Sequence, residues 1–390
     1  MAYGERDRRA VASVAMQFFV NGAIFASFIP RLPEIRDRID VSIDVLGALM
    51  TIAGVIGLAG SAASAPFLDR FGTRQSLIAG AAVLILTLPA IGFATSPLVF
   101  VLALGLMAAL DVIVDVAMNL QGSWLSARRH APIMNRLHGL WSLGTVVGGL
   151  AAAQLTAAGV SLQTHLVGVS AILMVALAFV GSGLLRVDEH AETSADPQTG
   201  AKVAGTKPAL IMLALAGGFA IAVEITSSDW AAFRLGDDFG TSPGFAGLGF
   251  VAFTAGMTTG RFSGDAALHR IGPNALAKFA VLLSTIGLAG AALLPNRYLV
   301  LGCYFLAGAG ISTFFPRLYD EAAQLPGKRG AGLAALTAGS RIIGLLVPVA
   351  VGAMAATSLS VGAATGIVVI PSVVAFGALT LWPRVAARSA

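Results

Sequence analysis

The stretch ALDVIVDVAMN, residues 109–119, sets Asp111, Asp115 and Asn119 four residues apart inside an apolar run. On a helix that spacing puts all three on one face, spread over about 12 Å at about 1.5 Å per residue. An aspartate at the centre of a membrane helix costs about 2.5–3.5 kcal/mol on insertion scales, so two in one segment must face a cavity and not lipid. The chemistry open to such a pair is to take up and release a proton, or to receive a cation. A second polar face follows in IMNRLHGLWSLGTVVGG, residues 133–149, where Asn135, His138, Ser142 and Thr145 recur at spacings of three and four. Folding the two segments about Arg128 and Arg129 brings Asp115 within reach of His138, through a rotamer or a water. The competing reading is that these groups satisfy one another and hold two helices together. Asn21, Glu224 and Arg341 fall inside other apolar runs. A buried Arg341 needs a partner, and Glu224 and Asp111 are the candidates.

These side chains have to be positioned by membrane helices. The 390-residue chain is 56% hydrophobic and 12% charged with 46 glycines, and its mean hydropathy is +0.83, far above a soluble domain. Apolar runs near the length of about 20 residues that a bilayer requires predict twelve spans, at 11–30, 44–66, 76–94, 97–120, 134–158, 164–185, 208–233, 243–264, 275–294, 298–319, 331–355 and 361–382. The basic-then-apolar opening has the shape of a secretory signal, yet twelve spans require it as the first helix. With the N-terminus inside, inner segments collect 19 of the 25 Lys and Arg, outer loops hold five, and Arg341 lies mid-span. That bias predicts both termini in the cytoplasm. The net charge of +5 then reflects topology and calls for no nucleic-acid partner. The single cysteine, Cys303, excludes an intrachain disulfide and a multi-cysteine metal site; it is expected to pack in helix ten.

Two halves repeat at an offset of 200 residues. SAPFLDRFGTR (64–74) lies opposite GDAALHRIGPN (264–274), matching Leu68, Arg70 and Gly72 to Leu268, Arg270 and Gly272; Gly47, Gly60, Gly139 and Gly144 match Gly247, Gly260, Gly339 and Gly344. This ungapped register predicts a duplicated six-helix unit: one bundle over 1–185, a polar cytoplasmic linker over 186–207, and a second bundle over 208–390.

The loop LDRFGTR resembles the signature of the major facilitator superfamily, an Asp-Arg-x-Gly followed by basic residues between helices two and three. Ala65 stands where the family has its leading glycine, and Thr73 where it has one of two trailing basic residues. SFIPRLPEIRDRI, DVAMNLQG and IMNRLHGLWSLG resemble YbjJ-type bacterial members, so the likeness covers essentially the whole chain. It implies an all-α membrane protein of twelve helices in two pseudo-symmetric bundles, with helices one, four, seven and ten around a central cavity and Asp111 and Asp115 on helix four. Read physically, the loop can pair with a helix end or a charge of the other half and latch one conformation. Its residues are Asp69, Arg70, Gly72 and Arg74, with Arg261, Asp265 and Arg270 as opposing candidates; the competing reading of the basic residues is topology alone.

Other chemistries fit poorly. LYDEA and FSGDA brush against an intramembrane aspartyl protease, but Phe262 stands where a glycine is needed and the order is reversed. No phosphate-binding Gly-x4-Gly-Lys-Ser/Thr loop is present. The expectation is a non-enzymatic secondary transporter of the bacterial inner membrane, monomeric and without cofactor, that moves a small molecule by alternating access and is coupled to protons through its acid pair. A channel or passive receptor is the alternative, and the acids admit either a cationic substrate or a neutral sugar-like one. Trp230 is expected as an interface anchor, Phe314 and Phe315 as core or a substrate platform, and Arg317, Asp320 and Glu321 as surface or gate ion pairs.

Overall fold

The structure, a computed structural model, describes residues 5–129, 133–186, 206–323, 325 and 331–381. Thirteen α-helices run α1 (Glu5–Ala26), α2 (Leu32–Arg38), α3 (Ile43–Gly92), α4 (Pro97–Arg129), α5 (Met134–Ala157), α6 (Leu162–Gly183), α7 (Thr206–Asp229), α8 (Ala231–Asp237), α9 (Pro243–Leu293), α10 (Arg297–Ile311), α11 (Phe314–Ala323), α12 (Ala331–Ala355) and α13 (Val361–Leu381), and no strand occurs among the described residues. Among the described residues, ten stretches are long and apolar enough to cross a membrane. Two further passes are hidden in the longest helices. At about 1.5 Å per residue, the 50 residues of α3 and 51 of α9 are more than twice the bilayer core of about 30 Å. Each doubles back at a glycine: Gly72 has φ 73 and ψ 155, and Gly272 has φ 77 and ψ 165, a region essentially closed to other residues. The two hinges are 200 residues apart, as the repeat requires, and the passes number twelve.

One apolar core is built mainly from α1–α6 and a second from α7–α13, with Trp230, Phe233 and Val347 of the second half reaching into the first. These are the two six-helix bundles. The linker expected over 186–207 lies, apart from Arg186, Thr206 and Lys207, outside the described residues.

Two span ends differ from the expectation. The first pass stops at Ala26 and not at residue 30, because a 3-10 turn at Ile29–Arg31, with Pro30 inside it, redirects the chain into α2. The seventh stops at Asp229, and the short α8 takes over from Ala231. Trp230 at that break is no interface anchor: it is fully buried, its ring 5.3 Å from that of Phe233.

The halves close on each other at the end opposite the termini. The carbonyl of Pro348 lies where a side chain on Gly47 would sit, a Cβ on Gly244 would lie 2.6 Å from Ala157, and Thr51 donates to the carbonyl of Leu345 at 2.9 Å. Arg36 of α2 meets Asp237 of α8 at 2.6 Å. Toward the termini Asp115, His138 and Tyr319 are exposed, and the halves still touch where Phe262 of α9 lies 3.0 Å from the place of a Cβ on Gly139 of α5.

Candidate functional site

Between the halves lies a cavity of about 850 Å³. The acid ladder of α4 forms one wall, and glycines set its depth: Ala109 carries its carbonyl where a Cβ on Gly60 would be, and Ala108 is 2.9 Å from one on Gly57. Only residues without side chains let α3 approach α4 this closely.

Asn21, Asp111, Asp115, Asn119, His138, Glu224 and Arg341 all line this cavity. Asn21 Nδ2 of α1 donates to Asp111 Oδ1 at 3.2 Å. Asn119 Nδ2 donates to Asp115 Oδ1 at 3.0 Å and to its backbone carbonyl at 2.8 Å. The expected link from Asp115 to His138 is not formed: no hydrogen bond or ion pair joins them among the described residues, and the His138 ring lies edge-on to Phe18 at 5.2 Å. Ser142 donates to the His138 carbonyl and Thr145 to that of Ser142, while the Asn135 side chain falls outside the description.

Arg341 has neither of its expected partners in an ion pair. Its Nη1 donates to Ser61 Oγ on α3, and its charge acts on Asp115. Both candidates belonged to other positions across the cavity, which linear sequence does not order. Arg261 is also displaced from its expected place. It points away from the loop and into the cavity, where Nη1 donates to Ser142 Oγ at 2.6 Å, the guanidinium lies 5.6 Å from the Trp141 ring, and its charge acts on Glu224. Two arginines of the second half thus each bridge to a serine of the first, and each faces one acid. Asp111 is the cavity acid left with an amide and the like charge of Asp115.

The loop residues stay outside this constellation. Asp69 is exposed and forms no ion pair among the described residues; Arg70 lies 5.5 Å from the Phe71 ring, and Arg74 donates to the Gly181 carbonyl of α6 at 2.7 Å. Arg270 is exposed on α9, and the side chain of Asp265 is outside the description. Asp229 accepts from Ser228 Oγ at 2.7 Å. Phe314 stacks on Phe376 at 3.9 Å in the core, whereas Phe315 lines the cavity beside Tyr319. Arg317 pairs with Glu321 at 3.0 Å, and Cys303 is a free thiol packed in α10 against Gly290.

Sequence reasoning passed over Trp141, Tyr319, Ile221 and Ser61. The repeat held the signal: 200 residues on, Asn21 becomes Ile221, Asp115 becomes Phe315, Asn119 becomes Tyr319, Trp141 becomes Arg341, and Ser61 becomes Arg261. The polar ladder of one half faces an aromatic one in the other.

Known proteins share both sequence and architecture. An MFS-type transporter of Yersinia pestis is 26% identical over 310 residues, covering 80% of this chain and 79% of its own. The membrane protein MosC of Rhizobium meliloti is 26% identical over 322 residues, 81% of this chain and 76% of its own. Among solved structures, the nucleoside transporter NupG superposes with a TM-score of 0.70 at 11% identity, covering 96% of this chain and 97% of that one. A bacterial homologue of the human lysosomal transporter Spinster gives 0.68 at 16% identity, over 96% and 95%. Residues 14–316 match the Major Facilitator Superfamily, and the twelve-pass, two-bundle chain with its central cavity belongs to that family of membrane transporters.

Proposed function

We infer that this transporter is proton-coupled and works by alternating access across the bacterial inner membrane, as a monomer with both termini in the cytoplasm. The observation that carries the reading is the Asp111–Asn21 pair at the cavity wall: a carboxyl without a counter-cation, held by an amide that can donate to its charged form or accept from its protonated one. Asp111 is the coupling site, Asp115 answers Arg341, and Glu224 answers Arg261. The described conformation is open toward the cytoplasm and closed outside by the Arg36–Asp237 contact. Asp69, free here, engages the second half when the cytoplasmic side closes. The cavity suits a polar small molecule with a flat or ring-like part, which Trp141, Phe315 and Tyr319 contact while Arg261 and Arg341 bind its acceptors. A thermal-shift screen of the purified protein against metabolites and cationic drugs at two pH values identifies the substrate. Uptake into vesicles with an imposed pH gradient then tests the coupling, and substrate movement indifferent to the gradient would refute it. A channel is disfavoured because the halves are sealed at one end by direct backbone contact.

A further inference from the structure

Asn21 is the last rung of a ladder that the cavity does not explain. Ser13, Gln17 and Asn21 recur every four residues along one face of α1, and they are 0%, 0% and 3% exposed. Ser13 Oγ, both amide atoms of Gln17 and Oδ1 of Asn21 are buried and find no hydrogen-bond partner in the protein. Buried polar groups are almost always satisfied, by protein or by water, and an unmatched one is costly inside a membrane. A face meant only for packing would be apolar, as the adjacent one is: Val14 and Phe18 are fully buried in the core.

The ladder runs inside the first bundle. At the end bearing the termini, Ser13 lies against Gly183 of α6, whose carbonyl and that of Leu184 accept from Arg6 at 2.6 and 2.8 Å. At its deep end Asn21 reaches Asp111 on α4. Gly22, next to it, abuts the Trp141 backbone of α5 on the cavity side. Four helical residues rise about 6 Å, which is the length of two hydrogen bonds through one water. A rise of that length is one that a single bridging water can span.

We propose that this face of α1 is a water-lined proton path that serves Asp111 from the end bearing the termini, separate from the substrate cavity; the proposal rests on Asp111 being the coupling site. A proton from bulk water passes along waters held by Ser13 and Gln17 and forms the O–H bond of the Asp111 carboxyl. Asn21 donates to the carboxylate and, with its amide turned over, accepts from the acid. No side chain of the path is consumed. The titratable groups sharing the cavity with Asp111 are Asp115, His138, Glu224, Arg261, Tyr319 and Arg341; none lies on the path, so a substrate among them does not obstruct protonation.

The test uses the full chain in a Cys303→Ala background with cysteines at Ser13, Gln17 or Val14, exposed to silver ion, which reacts with thiolates where water reaches; buried structural thiols stay inert. Protection from a maleimide applied after denaturation gives the rate. Ser13→Cys and Gln17→Cys are expected to react at least about tenfold faster than Val14→Cys, the contrast between a hydrated and a structural thiol. Gln17→Cys as inert as Val14→Cys overturns the path, even if Ser13→Cys reacts. A wild-type structure at high resolution gives a second reading independent of any substitution: ordered water beside the Gln17 amide is expected, and a dry, protein-bonded amide overturns the path. Failure of the coupling reading looks different, with both cysteines reactive while Asp111→Asn retains gradient-driven uptake.

Discussion

Arg36 of α2 and Asp237 of α8 join the two halves at the end away from the termini, with Nη1–Oδ2 2.6 Å and Nη2–Oδ1 3.4 Å, and the guanidinium lies 5.5 Å from the Phe233 ring. The contact joins the halves without touching the cavity, and in the proposed cycle it belongs to the state closed at that end.

Neutralising it with Asp237→Asn is expected to favour the outward-open state by up to about fivefold, the range of about 0–1 kcal/mol for a solvent-exposed ion pair. Maleimide labelling from outside, of a cysteine placed at the cavity residue Ile225 with Cys303 replaced, reads the change. The exchange of charges in Arg36→Asp with Asp237→Arg should restore the wild-type rate, and unaltered labelling in all variants would deny the contact any gating part.

Gly72→Ala and Gly272→Ala should each lower thermal stability, since both hinge residues have positive φ with extended ψ and forcing a Cβ there costs on the order of 1–3 kcal/mol. Nothing lies within 4 Å of a Cβ at Gly272, so the effect there is backbone strain and not a clash. Melting curves in detergent measure it; equal stability to wild type at both sites would mean that the hinges relax freely.

Glu224 and Arg261 should behave as a charge pair across the cavity. Glu224→Gln or Arg261→Gln alone leaves the other charge unanswered in a low-dielectric site and should destabilise more than the double replacement does. A thermal-melting double-mutant cycle tests this, and strict additivity would dissolve the pairing.

Much of this was written in the sequence because a bilayer is a severe constraint. Hydropathy delivers the passes, and the repeat at 200 predicts that the Gly72 and Gly272 hinges coincide. What hydropathy cannot see is the direction of a side chain across a cavity. Arg341 and Glu224 both read as buried charges, yet their opposites, Asp115 of α4 and Arg261 of α9, are set by tertiary packing that also brings Arg341 to Ser61 and Arg261 to Ser142. The ends of the first and seventh passes are not legible because apolar composition runs on past the turn, through Phe28, Ile29 and Pro30 in the first and Ala231, Ala232 and Phe233 in the seventh. Trp230 differs for the same reason: its place near a span end suggests an interface, and the break before α8 folds it inward.

Topology rests on the basic-residue bias. Cysteines introduced at Ser96, Ser161 and Ser358 in the Cys303→Ala background should react with an impermeant maleimide from outside the cell, and one at Ser126 should not. The reverse pattern would invert the orientation and with it the sense of the open cavity.

In the proposed cycle Asp111 carries the coupled proton. Asp111→Asn keeps the shape and the contact with Asn21 but cannot titrate, so in vesicles with an imposed pH gradient this variant should exchange substrate at equal pH while losing gradient-driven accumulation. Asp115→Asn should act mainly through Arg341, and Asn119→Ala should be milder than either. Gradient-driven accumulation at the wild-type level in a stably folded Asp111→Asn protein would show that Asp111 does not carry the coupled proton.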